Sequence, residues 1–152
     1  MRMEQGLVMV CVTMQRSCQR LIREGERIAA EKDAALAVVH VARPEDDLLG
    51  NPDEGEALNY LFTVASEAKA QMQVLRSAKI AKSLAQFAKE NGATDIVMGQ
   101  ARGRNQAVMR SILGEVERQA PGLTVHVIQE QENELRPYVP EASMLLEPEP
   151  EL

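Results

Sequence analysis

The chain has 152 residues, of which 45% are hydrophobic and 26% charged, so it is long enough for one globular domain with a buried core. Aromatic residues make up only 3% and Trp is absent, which leaves little material for the stacking platforms of single-stranded nucleic-acid binding proteins. No apolar stretch approaches the roughly 18 residues that span a bilayer, so we expect a cytoplasmic protein with neither a nucleic-acid nor a membrane partner.

The net charge belongs almost entirely to the end of the chain. The formal charge is −6, and residues 130–152 hold seven Glu against the single Arg136, so residues 1–129 are formally neutral. The same segment holds four of the seven prolines. We predict a domain over residues 1–129 and, over residues 130–152, an acidic, Pro-rich tail that is extended or disordered and solvated. Docking of its short apolar pieces, around Tyr138 and residues 144–146, onto a neighbouring surface is the alternative.

Five apolar runs alternate with amphipathic segments along residues 6–129, and such runs are typical of strands covered on both faces. Strands are predicted over residues 7–12, 35–41, 72–75, 96–98 and 124–128. Helices are predicted from a Ser17 cap to Lys32, over residues 56–70, from a Ser77 cap to Asn91-Gly92, and from near Ala107 to Pro121-Gly122, with a loop over residues 45–55. This order implies right-handed crossovers and an α/β fold with a doubly wound, parallel, five-stranded sheet and helices on both faces.

A basic, Gly-containing loop follows the fourth predicted strand. Gly99 ends that strand, and Arg102, Gly103 and Arg104 come before the next helix. A buried strand that ends in Gly and turns into a helix is where α/β folds bind anionic groups. The pattern predicts a phosphate-bearing ligand, and an ordinary strand-to-helix turn with solvated arginines is the alternative.

The chain lacks the sequence patterns of common enzymes. It has no nucleophile elbow, no metalloprotease His pair and no Walker lysine, and no acidic pair of a receiver domain follows the first strand. Cys11 and Cys18 form neither a disulfide framework nor a metal cluster. His40 and His126 have no evident carboxylate partner for general-base chemistry. We therefore expect a protein without enzymatic activity.

The order of elements and three runs, TDIVMG at residues 94–99, MRSIL at 109–113 and VHVI at 125–128, resemble the universal stress protein family over about residues 6–129. More narrowly, VCVT at residues 10–13 and the following helix resemble the universal-stress-protein domain of osmosensitive potassium-channel sensor histidine kinases. The resemblance implies a stress-response module that senses or regulates. It also implies a homodimer paired through the fifth strand, Thr124–Ile128, and a regulatory protein partner.

In nucleotide-binding members of the family, two glycines after the fourth strand and a later Gly-Ser or Gly-Thr meet the phosphates, and an Asp ends the first strand. Gly99 fits the first glycine, the second falls one residue late at Gly103, and Ser111 stands for the final hydroxyl. Thr13 stands where the Asp would be. The resemblance implies an adenine-nucleotide pocket, for ATP or AMP, at the carboxyl ends of the first and fourth strands, and these departures argue against tight ATP binding.

The kinase-linked domains imply a second ligand, cyclic di-AMP, through a Ser-x-Ser pair and a later Phe-Thr-Ala-x-Tyr run. That spacing falls here on Thr13 and Gln15 and then on residues 36–40, which end at His40, although nearly every residue differs. Thr13, Gln15 and His40 would line the base side, with the backbone of Val41 near the purine. The anion side would consist of Gly99, Arg102, Gly103, Arg104 and Ser111. The alternatives are a core-edge role for His40 and, for the whole chain, a dimeric interaction protein that binds no nucleotide and acts through its surface and tail.

Overall fold

The computed structural model describes residues 6–13, 18–44, 52–100 and 105–129. Strands and helices alternate through these residues, in agreement with the predicted order. The elements are β1 (Leu7–Cys11), α1 (Gln19–Lys32), β2 (Ala35–Ala42), α2 (Pro52–Glu67), β3 (Gln71–Arg76), α3 (Ile80–Glu90), β4 (Asp95–Gly99), α4 (Asn105–Gln119) and β5 (Thr124–Ile128). The predicted tail lies outside the described residues.

The five strands form one parallel sheet in the order β3-β2-β1-β4-β5, which confirms the predicted fold class. β1 lies at the centre, and the direction in which strands are added reverses between β3 and β4. All strands end at one side of the sheet, the carboxyl edge, and begin at the other, the amino edge. A reversal of strand order opens a crevice between the carboxyl ends of β1 and β4, where ligands of such folds bind.

Two apolar layers cover the two faces of the sheet because side chains alternate along each strand. Val8, Val10 and Val38 pack in the layer of α1 and α2, whereas Met9 and Ile96 pack in the layer of α3 and α4. All five side chains are 0% exposed. The sheet is therefore buried on both faces, as its apolar runs predict.

The predicted boundaries of α2 are wrong at both ends. The helix begins at Pro52, inside the predicted loop, since proline fits the first helical position, where its missing N–H has no intrahelical partner. It ends at Glu67 because Lys69 adopts the left-handed conformation (φ 59°) and the N–H of Ala70 bonds to the carbonyl of Ala65 at 2.8 Å. This helix ending usually contains Gly, so the sequence carried no sign of it.

The predicted helix caps also shift. Ser77 does not cap α3, because Lys79 occupies the cap position. The Ser77 hydroxyl accepts a hydrogen bond from the N–H of Lys79 at 3.0 Å and so stabilises the turn before the helix. Cys18 occupies the cap position of α1, whereas the predicted cap, Ser17, lies outside the described residues. The helix predicted from near Ala107 begins slightly earlier, as α4.

Candidate functional site

Thr13 follows β1 at the carboxyl edge and is exposed. Its N–H lies 3.4 Å from the Cys18 sulfur, and its hydroxyl oxygen lies 3.5 Å from the same atom. These contacts hold the end of β1 against the residue that precedes α1. Thr13 therefore lies at the carboxyl edge, next to the start of α1.

His40 lies near the end of β2, and its ring is held by β1. Its Nδ1 lies 2.9 Å from the carbonyl oxygen of Val12, which can only accept, so Nδ1 carries the proton. In the neutral ring Nε2 is then an acceptor. Val41, the next residue, is only 7% exposed. Because its side chain is apolar, only its backbone can offer polar groups near this edge.

Gly99 is the last residue of β4 and is partly buried. Among the described residues, the nearest atom to a Cβ built at this position is Cδ1 of Leu21, at 3.5 Å, which is an ordinary van der Waals contact. Its φ lies outside the left-handed region that favours glycine. The described part of the fold therefore does not require glycine at position 99.

An open groove of about 530 Å³ lies between the first turns of α3 and α4, at the carboxyl edge. Its described lining has Arg43 and Ser111 as polar members, with a floor that includes Ala78, Ile80, Ala81 and Val108. The volume is within the range of small-molecule sites, about 300–1,000 Å³. Ser111 lies in the second turn of α4, so its backbone N–H is used within the helix and only its hydroxyl is available for a hydrogen bond in the groove.

The predicted site residues do not all line one cavity. Ser111 lines the groove with Arg43, but the groove's described lining does not include Thr13, His40, Val41 or Gly99. Arg43 was not among the predicted site residues. It directly follows β2, the neighbour of the central strand, and that position in the sequence could have indicated a cation at the carboxyl edge. Four predicted site residues lie outside the described residues: Gln15, Arg102, Gly103 and Arg104.

Neither cysteine has the features of a reactive thiol. Burial raises the pKa of the Cys11 thiol to about 12, so the thiol stays protonated at neutral pH. Cys18 is 7% exposed and its sulfur contacts Thr13. Both side chains therefore act as small hydrophobic residues.

A second polar group, the amino-edge cluster of Lys32, Thr94, Asp95 and His126, lies at the opposite end of the sheet. Oδ2 of Asp95 lies 2.6 Å from Lys32 Nζ and 2.8 Å from His126 Nε2, and Thr94 donates to Oδ1 at 2.8 Å. The prediction that His126 has no carboxylate partner is therefore wrong. The cluster joins the end of α1 to β4 and β5.

Asp95 lies at the centre of this cluster, because the other three side chains all bond to its carboxylate, and its side chain is only 1% exposed. Burial raises the pKa of its carboxyl, but the hydrogen bonds from Lys32, His126 and Thr94 outweigh that effect and bring the pKa below its ordinary value. Lys32 and His126 remain 46% and 25% exposed. The cluster is thus a buried carboxylate that pairs with the Lys32 ammonium and is hydrogen-bonded to His126, and both of these partners reach solvent.

β5 is an edge strand in the described sheet and carries two exposed apolar side chains. Val125 and Val127 are 39% and 40% exposed. The N–H of Thr124 donates to the carbonyl of Thr94 at 2.9 Å, and backbone bonding alternates along a strand. The N–H groups of Val125 and Val127 therefore point away from β4 to the open edge.

Within the same described residues, no three His, Cys, Asp or Glu side chains are grouped to hold a metal ion. Nor do these residues include a helix long and apolar enough to cross a bilayer.

Comparison with known proteins gives one family. The family model described as "Universal stress protein family" matches residues 7–129. The sensor protein KdpD of Mycobacterium tuberculosis (strain CDC 1551 / Oshkosh) is 30% identical over 123 residues, which cover 80% of this chain and 14% of that protein. The chain therefore spans only a small part of the length of this relative. The resemblance seen in the sequence, including the narrower one to sensor kinases, is confirmed.

Two solved structures share the fold at low sequence identity. A universal stress protein in complex with cAMP has a TM-score of 0.61 and 18% identity, with 85% of this chain and 100% of that chain covered. The universal stress protein from Archaeoglobus fulgidus in complex with dAMP has a TM-score of 0.62 and 20% identity, with 83% and 99% covered. With its parallel sheet in the order β3-β2-β1-β4-β5 and a family match over most of its length, the chain belongs to the universal stress protein family.

Proposed function

We propose that this chain is a regulatory module that binds an adenine nucleotide at the carboxyl ends of β1 and β4 and does not turn it over. Two proteins of the same fold were solved with cAMP and dAMP, which supports an adenine nucleotide as the ligand. The relative that is 30% identical is named a sensor protein, which supports a regulatory role and a protein partner. A cytoplasmic location is part of the proposal.

The proposed ligand lies across the crevice between β1 and β4. On the base side, the Thr13 hydroxyl, Gln15, the acceptor Nε2 of His40 and the backbone of Val41 contact the purine. On the anion side, Gly99 and the basic loop approach the phosphate, with charge-assisted hydrogen bonds from the arginines. The anion-side residues are Gly99, Arg102, Gly103, Arg104 and Ser111, to which the groove adds Arg43.

Gly99 carries the proposal. Glycine costs about 0.5–1 kcal/mol of backbone entropy relative to alanine, and neither its contacts with the described residues nor its backbone conformation requires it at position 99. A glycine at the end of a strand beside the crevice lets the backbone approach a phosphate, which a side chain would keep away. Ligand approach therefore accounts for a residue that the packing does not explain.

We expect AMP, ATP or cyclic di-AMP to raise the melting temperature of the protein. A ligand at 100 times its dissociation constant stabilises the folded state by about 2.7 kcal/mol. Gly99→Ala should remove this shift without lowering the melting temperature of the ligand-free protein, because its Cβ has room. Arg102→Ala combined with Arg104→Ala should remove it as well. Differential scanning fluorimetry measures both, and calorimetric titration gives the affinity.

Lys89→Ala is the matched control. Lys89 is exposed in the last turn of α3, at the amino edge, so its loss should leave the nucleotide shift unchanged. No shift with millimolar concentrations of any of the three nucleotides would contradict the proposal. The function would then be that of a dimeric interaction protein without a nucleotide.

We also propose that two copies form a twofold homodimer through β5. β5 is an edge strand of the described sheet, its outward N–H groups are open to another strand, and the side chains of Val125 and Val127 are exposed. These features favour pairing between two copies of β5. Val127→Pro should give a soluble monomer, since it removes an outward donor and leaves the bonds to β4 in place. Val127→Thr keeps the donor and should remain dimeric. Light scattering at tens of micromolar protein measures the mass, and a monomeric wild type would refute the dimer.

A further inference from the structure

The groove between α3 and α4 combines an apolar floor with a basic rim. Ala78, Ile80 and Val108 belong to the floor, and Val108 is 45% exposed. Arg43 lines the groove, and a guanidinium nitrogen of Arg76, which is not part of the described lining, donates to the Arg43 carbonyl at 3.1 Å. An apolar surface beside the Arg43 guanidinium fits an occupant with apolar side chains and negative charge.

Acidic side chains are absent from the first turns of both helices as far as the structure describes them. Lys79, which is exposed, precedes α3, and the first acid within α3 is its last residue, Glu90. The first acid within α4 is Glu115, and it is already bonded to Arg118 and Gln119. The two helices that form the groove therefore bring no carboxylate of their own to this end of it that would repel an acidic occupant.

We infer that the chain's own acidic tail, residues 130–152, occupies this groove, which favours the docking alternative over the solvated tail predicted from composition. The tail holds seven Glu and one Arg, and it contains the apolar run Met144-Leu145-Leu146. Its charge complements the rim, and its apolar run complements the floor. Proline at positions 137, 140, 148 and 150 opposes a continuous helix, so the docked segment is extended.

The geometry of the chain allows this contact. β5 ends at the carboxyl edge, the same edge at which the groove opens, and a guanidinium nitrogen of Arg20 donates to the carbonyl of Gln129 at 2.6 Å, so the point where the tail begins is fixed there. Strands lie about 4.8 Å apart, so the five-stranded sheet is about 19 Å wide. The segment from residue 130 to Met144 spans up to about 50 Å when extended. The run at residues 144–146 therefore reaches the groove from its own protomer.

Ser111 belongs both to this groove and to the proposed nucleotide site, but tail docking needs no nucleotide and is tested without one. The probe is amide hydrogen exchange of the full-length protein, read by mass spectrometry over residues 135–146. We expect exchange there to be at least about tenfold slower than in an unstructured peptide, because docked backbone is shielded. The slowing should weaken as salt is added and should persist on dilution of the protein.

Two substitutions at one exposed position separate docking from a folding defect. Val108→Glu places a negative charge in the groove and should return the tail to fast exchange, whereas Val108→Lys should preserve slow exchange. Replacing Met144, Leu145 and Leu146 with Ser should also restore fast exchange. Fast exchange throughout the wild-type tail would overturn the inference. So would protection that survives Val108→Glu, or protection lost on dilution, which would assign the contact to a second copy.

Discussion

Asp95→Asn should lower the free energy of unfolding by about 2–3 kcal/mol at pH 7. The carboxylate is buried, with Lys32 Nζ and His126 Nε2 both on its Oδ2, at 2.6 and 2.8 Å. Removing one partner of a fully buried ion pair costs about 3–5 kcal/mol. The loss here is smaller because Lys32 is 46% exposed and recovers hydration when the carboxylate is gone. Urea denaturation followed by circular dichroism measures the change.

The pH dependence of that loss has a definite sign. The pKa of Asp95 is lowered in the folded state, so its contribution is complete above the unfolded value, about 3.9, and is lost as the pH falls through the folded value. The comparison is made in a His126→Gln background, which has no imidazole beside the carboxylate, so that Asp95 is followed alone. There the stability lost through Asp95→Asn should be constant at neutral pH and shrink below about pH 4. A loss that persists in acid would contradict the assignment to the carboxylate.

An exposed ion pair supplies the control. Glu67 accepts from Arg23 at 2.8 Å, and the two side chains are 58% and 44% exposed. Glu67→Gln should change the free energy of unfolding by less than about 1 kcal/mol, since solvent screens such pairs. A loss as large as that of Asp95→Asn would show that burial is not the cause.

The same substitution, Gly to Ala, should act in opposite directions in two helices. At Gly25 in α1, an added Cβ would lie 2.3 Å from Cγ2 of Val10 and 3.2 Å from Cδ1 of Leu36. Val10 is 0% exposed in the central strand and has no space to move, so Gly25→Ala should destabilise by about 1–3 kcal/mol. At Gly114 in α4 an added Cβ meets nothing within 4 Å, so Gly114→Ala should stabilise by about 0.5–1 kcal/mol.

Thermal denaturation of the two variants tests both signs at once. Val10→Ala in the Gly25→Ala protein should recover part of the loss, because it removes the clashing methyl groups while adding a cost of its own. Stabilisation by Gly25→Ala would mean that α1 shifts away from β1 at little cost, and it would contradict the close approach of the two elements.

The strands could be predicted because their composition reflects burial on both faces. Residues 7–12 and 35–41 are almost wholly apolar, and the structure places them within one residue of β1 and β2. The end of α2 could not be predicted, since Lys69 in a left-handed conformation leaves no mark in the sequence. Glycine is the usual signal there, and tertiary packing replaced it.

The amino-edge cluster was missed for a related reason. The predicted strand began at residue 96, so Asp95 lay just outside it and no partner was predicted for its carboxylate. In the structure Asp95 opens β4 opposite Thr124 of β5. Side chains two residues apart share a face, which brings His126 to the same side of the sheet. The contact between Asp95 and His126 follows from the register of β4 against β5. Predicting that register requires strand boundaries that are more exact than an apolar pattern can provide.

Ser111 was found by resemblance and Arg43 was not found at all. The groove that contains both depends on how closely the first turns of α3 and α4 pack, and no local pattern encodes that separation. Sequence reasoning located the carboxyl edge correctly in the fold, because strand order and crossover handedness are general rules. The side chains that meet there depend on packing between helices.

β1 is synthesised before the other four strands of this sheet, yet one of its two neighbours is the fourth strand, β4. Its pairing with β2, from Leu7 opposite Ala35 onward, is available early in synthesis. Its other side, where Val8 lies opposite Asp95, stays open until β4 emerges. Throughout that interval the nascent chain presents the edge of an apolar strand whose three central residues, Val8, Met9 and Val10, are 0% exposed in the finished fold. A chain released before Asp95 would therefore expose an aggregation-prone edge, whereas one released after Ile128 would have its central strand closed on both sides.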